Sequence, residues 1–180
     1  MTEEELVKGC IKEKRSSQDM LYNLYAGKLM AVCFRYMDSR MDAEDVLQEG
    51  FIKIFDNISK FKFQGSLEGW MKRIMANTAI NKLRKKDLLR GTQDTSLVDK
   101  QVDDGIIDKI DGDKLLAIIH ALPTGYRTVF NMFVVEGYSH REIAMELGIE
   151  EVSSRTQLTK AKKVLQKQIL ELGGFIENEF

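Results

Sequence analysis

The chain reads as all-α: two small helical domains joined by a flexible linker. Three observations carry this. Apolar residues recur at helical spacing through most of the 180 residues, and alternating strand patterns are absent. Proline, which interrupts helices, occurs once. From Asp87 to about Asp111 the apolar pattern lapses and Gly, Asp, Ser, Thr and Gln take over. These place a first domain at residues 1–87, a linker at 88–112, a second domain at 113–172 and a tail at 173–180.

The elements follow in order. Residues 4–14 suit a short charged helix. Residues 17–38 suit a second, with Leu21, Leu24, Tyr25, Leu29, Val32 and Tyr36 at helical spacing. Asp42 is the expected cap of a third, reaching about Ile58, with Val46, Leu47, Phe51, Ile54 and Ile58 on its apolar face. Phe61 to Gly65 is a loop, and a fourth helix runs from about Ser66 to Lys86. A short helical turn is expected near Ile106–Ile110. Leu115–Leu122 is helical up to Pro123, and residues 124–136 form another helix. Gly173-Gly174 is the expected end of the last one.

The strongest local signal lies in the last third. Ser139 and Glu142 form a capping box, Ile143, Ala144 and Leu147 an apolar stripe, and Gly148 a left-handed helix stop. A basic helix free of acids follows, from Val152 to Leu170. On a helical wheel Leu158, Ala161, Leu165 and Ile169 fall within about 80°. Arg155, Thr156, Thr159, Lys160, Lys163 and Lys167 fall opposite. One face buries and the other meets phosphates and base edges, the pattern of a DNA-binding helix-turn-helix. Residues Ser153 to Lys160, near the helix start, are best placed to enter a major groove.

The fourth helix carries a second signal. Trp70, Arg73, Asn77, Asn81 and Arg84 share an arc of about 80°. Leu67, Met71, Ile74, Met75 and Thr78 lie beside it, toward a core. An aromatic, amides and arginines in one stripe, after the loop Phe61-Lys62-Phe63, suit a single nucleic-acid strand: rings stack on bases, Asn reads a base edge, Arg holds the backbone. The same spacing also suits a core tryptophan beside a solvated basic face. On the third helix Asp42, Asp45 and Glu49 line one side, with Glu44 and Gln48 nearby. Such a face either is solvated or docks a basic partner helix.

Composition narrows the classes. Net charge is −1, but its distribution is uneven. Residues 71–86 hold Lys72, Arg73, Lys82, Arg84, Lys85 and Lys86 with no acid, whereas residues 88–113 hold seven Asp and three basic residues. The two cysteines, Cys10 and Cys33, lack metal-ligand spacing and read as reduced cytosolic thiols. No apolar run is long enough to span a membrane. His120 and His140 have no neighbouring triad or metal cluster, so no catalytic residue, metal ligand or cofactor is expected.

Two segments together resemble a known family. Asp42-Ala43-Glu44-Asp45-Val46-Leu47-Gln48-Glu49-Gly50-Phe51, followed by Gly65-Ser66-Leu67-Glu68-Gly69-Trp70-Met71-Lys72-Arg73-Ile74-Met75-Ala76-Asn77-Thr78-Ala79, resembles region 2 of the bacterial extracytoplasmic-function (ECF) sigma factors of the sigma-70 family. Leu122-Pro123 through Leu165 resembles their region 4. The resemblance implies a cytoplasmic alternative sigma factor that binds core RNA polymerase and starts transcription at promoters. It assigns polymerase binding to Asp42, Asp45, Gln48, Glu49 and Phe51. It assigns the melted −10 non-template strand to Phe61, Trp70, Arg73, Asn77, Lys82 and Arg84, with Lys72 also holding phosphate. The duplex −35 element falls to Ser153, Arg155, Thr156, Thr159, Lys160 and Lys163. An anti-sigma factor is a further implied partner; membrane insertion is not implied. Two places depart from the family pattern. Val152-Ser153 stands where Gly-Thr commonly opens the recognition helix, with Ser153 the expected cap. Phe63 and Gln64 replace small and acidic residues in the −10 loop.

The alternative reading is a conventional helix-turn-helix regulator acting without polymerase, with a dimer, a palindromic operator and tight duplex binding. Nothing in residues 17–86 suggests the ligand pocket it needs.

Overall fold

The computed structural model describes residues 2–90 and 113–176, without the side chains of 86–90, 113–115 and 169–176. Among the described residues every regular element is helical: α1 (Glu3–Ile11), α2 (Arg15–Tyr36), α3 (Arg40–Asn57), α4 (Leu67–Arg90), α5 (Asp113–His120), α6 (Thr124–Phe130), α7 (His140–Leu147) and α8 (Glu151–Ile176). The chain divides into two compact units, Met1–Leu83 and Arg84–Phe180. The segment read as a linker lies outside the described residues except for 88–90, which continue α4. The turn expected near Ile106–Ile110 lies outside them too, as do residues 177–180 of the tail. No helix among the described residues is long and apolar enough to cross a membrane.

In the first unit, Thr2 starts α1 with a capping box closed by Glu5. α1 packs on α2 and α2 on α3. Leu21, Leu29, Val32 and Tyr36 of α2 are fully buried, and so are Val46 and Ile54 of α3. Leu24, expected on the apolar stripe of α2, is instead 57% exposed. On the helical wheel it falls about 60° outside the arc shared by Leu21, Tyr25, Leu29, Val32 and Tyr36. Gly50 allows α3 to approach Met75 of α4: an added Cβ would lie 2.1 Å from its Sδ.

Three features differ from expectation. α3 starts earlier, because Ser39 rather than Asp42 is its cap. The Ser39 hydroxyl accepts the Asp42 amide at 3.1 Å and donates to the Asp42 carboxylate at 2.9 Å. Both residue types can cap, and the one nearer the preceding loop wins. α4 buries Ala76, Ala79 and Ile80 as well as Leu67, Met71, Met75 and Thr78, so its buried face is broader than the predicted arc. α8 runs through Gly173-Gly174 to Ile176.

In the second unit α5, α6 and α7 all pack on α8. Ile119, Leu122, Ala161 and Leu165 form its core, flanked by Tyr126, Phe130 and Val164. The helix expected over 124–136 is two pieces: α6, then a π-helical turn at Asn131–Val135. Arg127, 1% exposed, donates from Nη1 to the His120 carbonyl at 2.9 Å and ties α6 to the end of α5.

Candidate nucleic-acid and partner interface

The first candidate surface is the outward face of α3. Asp45, Gln48 and Glu49 are exposed there and Asp42 is half-buried. Phe51 is different. It is 4% exposed, its ring 4.6 Å from Tyr22 and 6.0 Å from Phe55. It is therefore a core residue supporting the face and cannot itself be offered to a partner. Its place on the buried stripe with Val46 and Leu47 was the signal.

α4 and the loop before it form the second surface. Trp70 and Asn77 are half-buried, while Arg73, Asn81 and Arg84 are exposed, so the predicted stripe does face outward. Phe61 is 8% exposed and sits 4.9 Å from the Phe63 ring and 5.6 Å from Trp70. It backs the aromatic cluster, and Phe63 is the member that reaches solvent, at 46% exposure. Phe63 holds φ 56°, a left-handed backbone conformation that is strained for a bulky side chain. Resemblance had singled out Phe63 as unusual without showing this geometry.

Two lysines on α4 are already paired. Lys72 meets Glu68 at 2.7 Å, and Lys28 of α2 meets the same carboxylate at 2.6 Å. Hydrogen bonds from Lys28 and then Lys72 hold Glu68 below the usual carboxylate range. Lys82 reaches Asp42 at 3.2 Å and Asp45 at 3.0 Å. Desolvation pulls its ammonium down, but hydrogen bonds and charge from Asp45 and Asp42 outweigh that and leave its pKa above the ordinary lysine value.

The second unit carries the third surface. Ser139 caps α7, its hydroxyl accepting the Glu142 amide at 3.2 Å while Glu142 accepts the Ser139 amide at 2.8 Å. Gly148 ends the helix at φ 65°. The Ile149 amide then returns to the Ala144 carbonyl at 3.1 Å. α8 starts at Glu151, so Ser153 lies inside its first turn rather than at the cap. Arg155, Thr156, Thr159, Lys160 and Lys163 are all exposed, and Leu158, Ala161 and Leu165 are buried. Val152 is 69% exposed and open to contact. The Thr156 and Thr159 hydroxyls donate to the Val152 and Arg155 carbonyls at 2.9 and 3.0 Å, leaving their oxygens as acceptors. Arg155 pairs with Glu151.

Sequence reasoning missed what fixes α7 against α8. His140 stacks on Phe133, ring centroids 4.4 Å apart, and its Nδ1 lies 2.9 Å from the hydroxyl of Ser154, which is fully buried. Burial and then the Arg155 charge depress the His140 pKa, against an opposing contribution from Glu151. A histidine one residue past a capping serine was visible in the sequence, but its partner fourteen residues on was not.

Residues 21–88 match the family described as Sigma-70 region 2, and residues 112–165 the one described as Sigma-70, region 4. The ECF RNA polymerase sigma factor SigW of Bacillus subtilis is 28% identical over 94% of this chain and 100% of its own length. The ECF RNA polymerase sigma-E factor of Haemophilus influenzae is 26% identical over 94% of this chain and 96% of its own. Among solved structures, the sigma factor RpoE from Bartonella quintana, in complex with the anti-sigma factor NepR, has a similar fold. Its TM-score is 0.53 at 18% identity, covering 84% of this chain and 95% of RpoE. CnrH, in complex with the cytosolic domain of CnrY, gives 0.51 at 17% identity, covering 91% and 94%.

Proposed function

As a member of the extracytoplasmic-function sigma factors of the sigma-70 family, this chain is an alternative sigma factor that initiates transcription, and we propose how its residues divide that work. Residues 1–87 dock on core RNA polymerase through Asp42, Asp45, Gln48 and Glu49, with Phe51 and Lys82 behind them. The aromatic cluster and the Arg73–Asn77–Arg84 stripe then receive the melted −10 strand. Residues 113–172 place the start of α8 in the major groove of the −35 element, where Ser153, Arg155, Thr156, Thr159, Lys160 and Lys163 reach phosphates and base edges. Residues 91–112 link the two, α8 carries on to Ile176, and the work is done in the cytoplasm. The chain contributes binding energy and position, with no active site of its own. An anti-sigma factor that covers these faces is a further partner, by likeness to relatives solved in such complexes.

The magnitudes agree with a protein that needs polymerase. Duplex stacking is worth about 1.4 kcal/mol per base-pair step. A base stacked on an aromatic returns about 1–3 kcal/mol. One captured base therefore offsets roughly one or two steps, and polymerase must supply the remainder of the bubble.

A single observation carries this reading: one chain joins an acidic α3 face and an aromatic–amide stripe on α4 to a capped helix-turn-helix with an outward basic face. Co-elution with core polymerase on a sizing column tests it. The wild-type chain should co-elute stoichiometrically, and Asp45→Arg, an exposed change that keeps the helical circular dichroism, should not. Unchanged co-elution of Asp45→Arg would reject the assignment of α3.

A further inference from the structure

His140 and Ser154 meet where α7 packs on α8. His140 is the first residue of α7, and Ser154 lies in the first turn of α8, directly before Arg155. The His140 Nδ1 is 2.9 Å from the Ser154 hydroxyl, and its ring stacks on Phe133 at 4.4 Å with the planes 22° apart. Ser154 is fully buried, while the imidazole is half-buried and still reaches solvent. We propose that this contact is a pin that fixes α8 against α7 only while the imidazole is neutral, so that acidification loosens the helix offered to duplex DNA. This rests on the assignment of α8 to the −35 element given above.

A cation is opposed at this place from three sides. Burial strips water from it. The first-turn amides of α7 turn the positive end of the helix toward residue 140. Arg155 and Lys162 of α8 add positive charge, against Glu151. Glu151 is itself paired with Arg155, and Glu142 of α7 is committed to the Ser139 amide and hydroxyl. Arg141 is the other charged neighbour on α7. Glu136 follows the π-helical turn, whose residues Asn131–Val135 carry no charge. Burial and then Arg155 hold the His140 pKa below the ordinary histidine value. A group so placed is neutral at pH 7 and adds stability there, and that stability is lost as pH falls through its own midpoint. The imidazolium escapes by swinging out to water. That gives up the Phe133 stack and returns the Ser154 hydroxyl to a carbonyl of its own helix. α8 keeps its apolar anchors Leu158, Ala161 and Leu165 but loses the polar tie at the end that carries Arg155 and Thr156.

Proton NMR of the full chain, titrated from neutral to mildly acid pH, reads the pin without DNA. His120 and His140 are the only two histidines, so the ring signals separate readily. The backbone amides of Arg155, Thr156 and Thr159 should shift with the His140 midpoint. They should stop doing so in His140→Asn, whose side-chain amide can meet Ser154 at any pH. Amides that ignore the His140 midpoint overturn the pin. Anisotropy of a fluorescein-labelled duplex of mixed sequence, at low salt, reads the consequence. Measured against His140→Asn, the wild-type chain should bind about two- to fivefold more weakly in mild acid than at neutral pH, the range of a charge at a helix end. His140→Ala should bind weakly at both. Wild-type binding that tightens in acid relative to His140→Asn would make His140 a phosphate contact, and identical pH profiles would leave it without a role in presenting α8; either result overturns the proposal. The Lys160→Gln, Lys163→Gln double variant tests the underlying assignment separately. If it binds the duplex as the wild type does, α8 is not the duplex-reading helix, whereas a midpoint shared by His140 and the α8 amides still upholds the pin.

Discussion

Asn77 lies half-buried on the outward stripe of α4, with Arg73 a turn before it and Asn81 a turn after. An amide there presents a donor and an acceptor together, which a base edge can use and a phosphate cannot. Asn77→Ala should therefore lower open-complex formation, read by permanganate reactivity of unpaired thymines, by about 1–3 kcal/mol in apparent free energy. Co-elution with polymerase should stay near wild type; an equal loss of both would assign Asn77 a structural role. Cys33 has the opposite character. It is fully buried, and desolvation pushes its thiol up to about 12, so almost none is thiolate at neutral pH. Alkylation by iodoacetamide at mildly alkaline pH should be very slow in the native protein and fast in guanidinium. Rapid native labelling of Cys33 would mean that α2 opens. At this scale the sequence showed which residues lie together on a helix, but not their depth. Phe51 and Phe61 carry aromatic chemistry that suits a ligand, yet both rings are spent on neighbours. Phe63 stood out in the sequence as a departure from the family pattern, but its positive φ and its exposure did not.

Helix ends decide how α7 and α8 are presented. The Ser139–Glu142 box and Gly148 were both legible, because each rests on a local rule: a side chain that satisfies an amide three residues on, and a residue without Cβ where φ is positive. Removing the cap should be felt as such rules predict. Ser139→Ala should destabilise the second unit by about 1 kcal/mol, measured by denaturant unfolding of the full chain, and should weaken binding to duplex DNA through the loosened α7. No change in either would mean that the His140–Ser154 contact alone holds the pair. Other ends were misread for physical reasons. Ser39 and Asp42 are both good caps three residues apart, and the Ser39 hydroxyl takes the Asp42 amide, which leaves Asp42 inside the first turn. Gly173-Gly174 weakens a helix without forbidding it, and α8 passes through. The π-helical turn was not legible, because no local residue rule signals the one-residue insertion that makes it.

For the molecule as a whole, charge sets the affinity scale. The net charge of −1 means that its basic stripes act locally, without a long-range field drawing the chain to nucleic acid. The free protein should bind a −35 duplex far more weakly than holoenzyme does, and the binding should fall steeply with salt because it rests on phosphate contacts. Tight, salt-insensitive binding by the free chain would favour an independent regulator over a sigma factor. The two-domain plan was legible from the lapse in the apolar pattern. Its boundary was less so: α4 runs on through Leu88, Leu89 and Arg90, good helix formers that lie just past the expected domain end.

The division into Met1–Leu83 and Arg84–Phe180 also bears on synthesis. In the first unit α1 packs on α2 and α2 on α3, contacts between neighbours in the chain that form quickly. Ribosomes add about 5–20 residues per second, so several seconds pass between the emergence of α4 and that of α8. The first unit can fold in that interval, and its acidic α3 face then exists while α8 is still untranslated. A nascent chain would thus present the face proposed to dock on polymerase before it carries the helix proposed to read a promoter duplex.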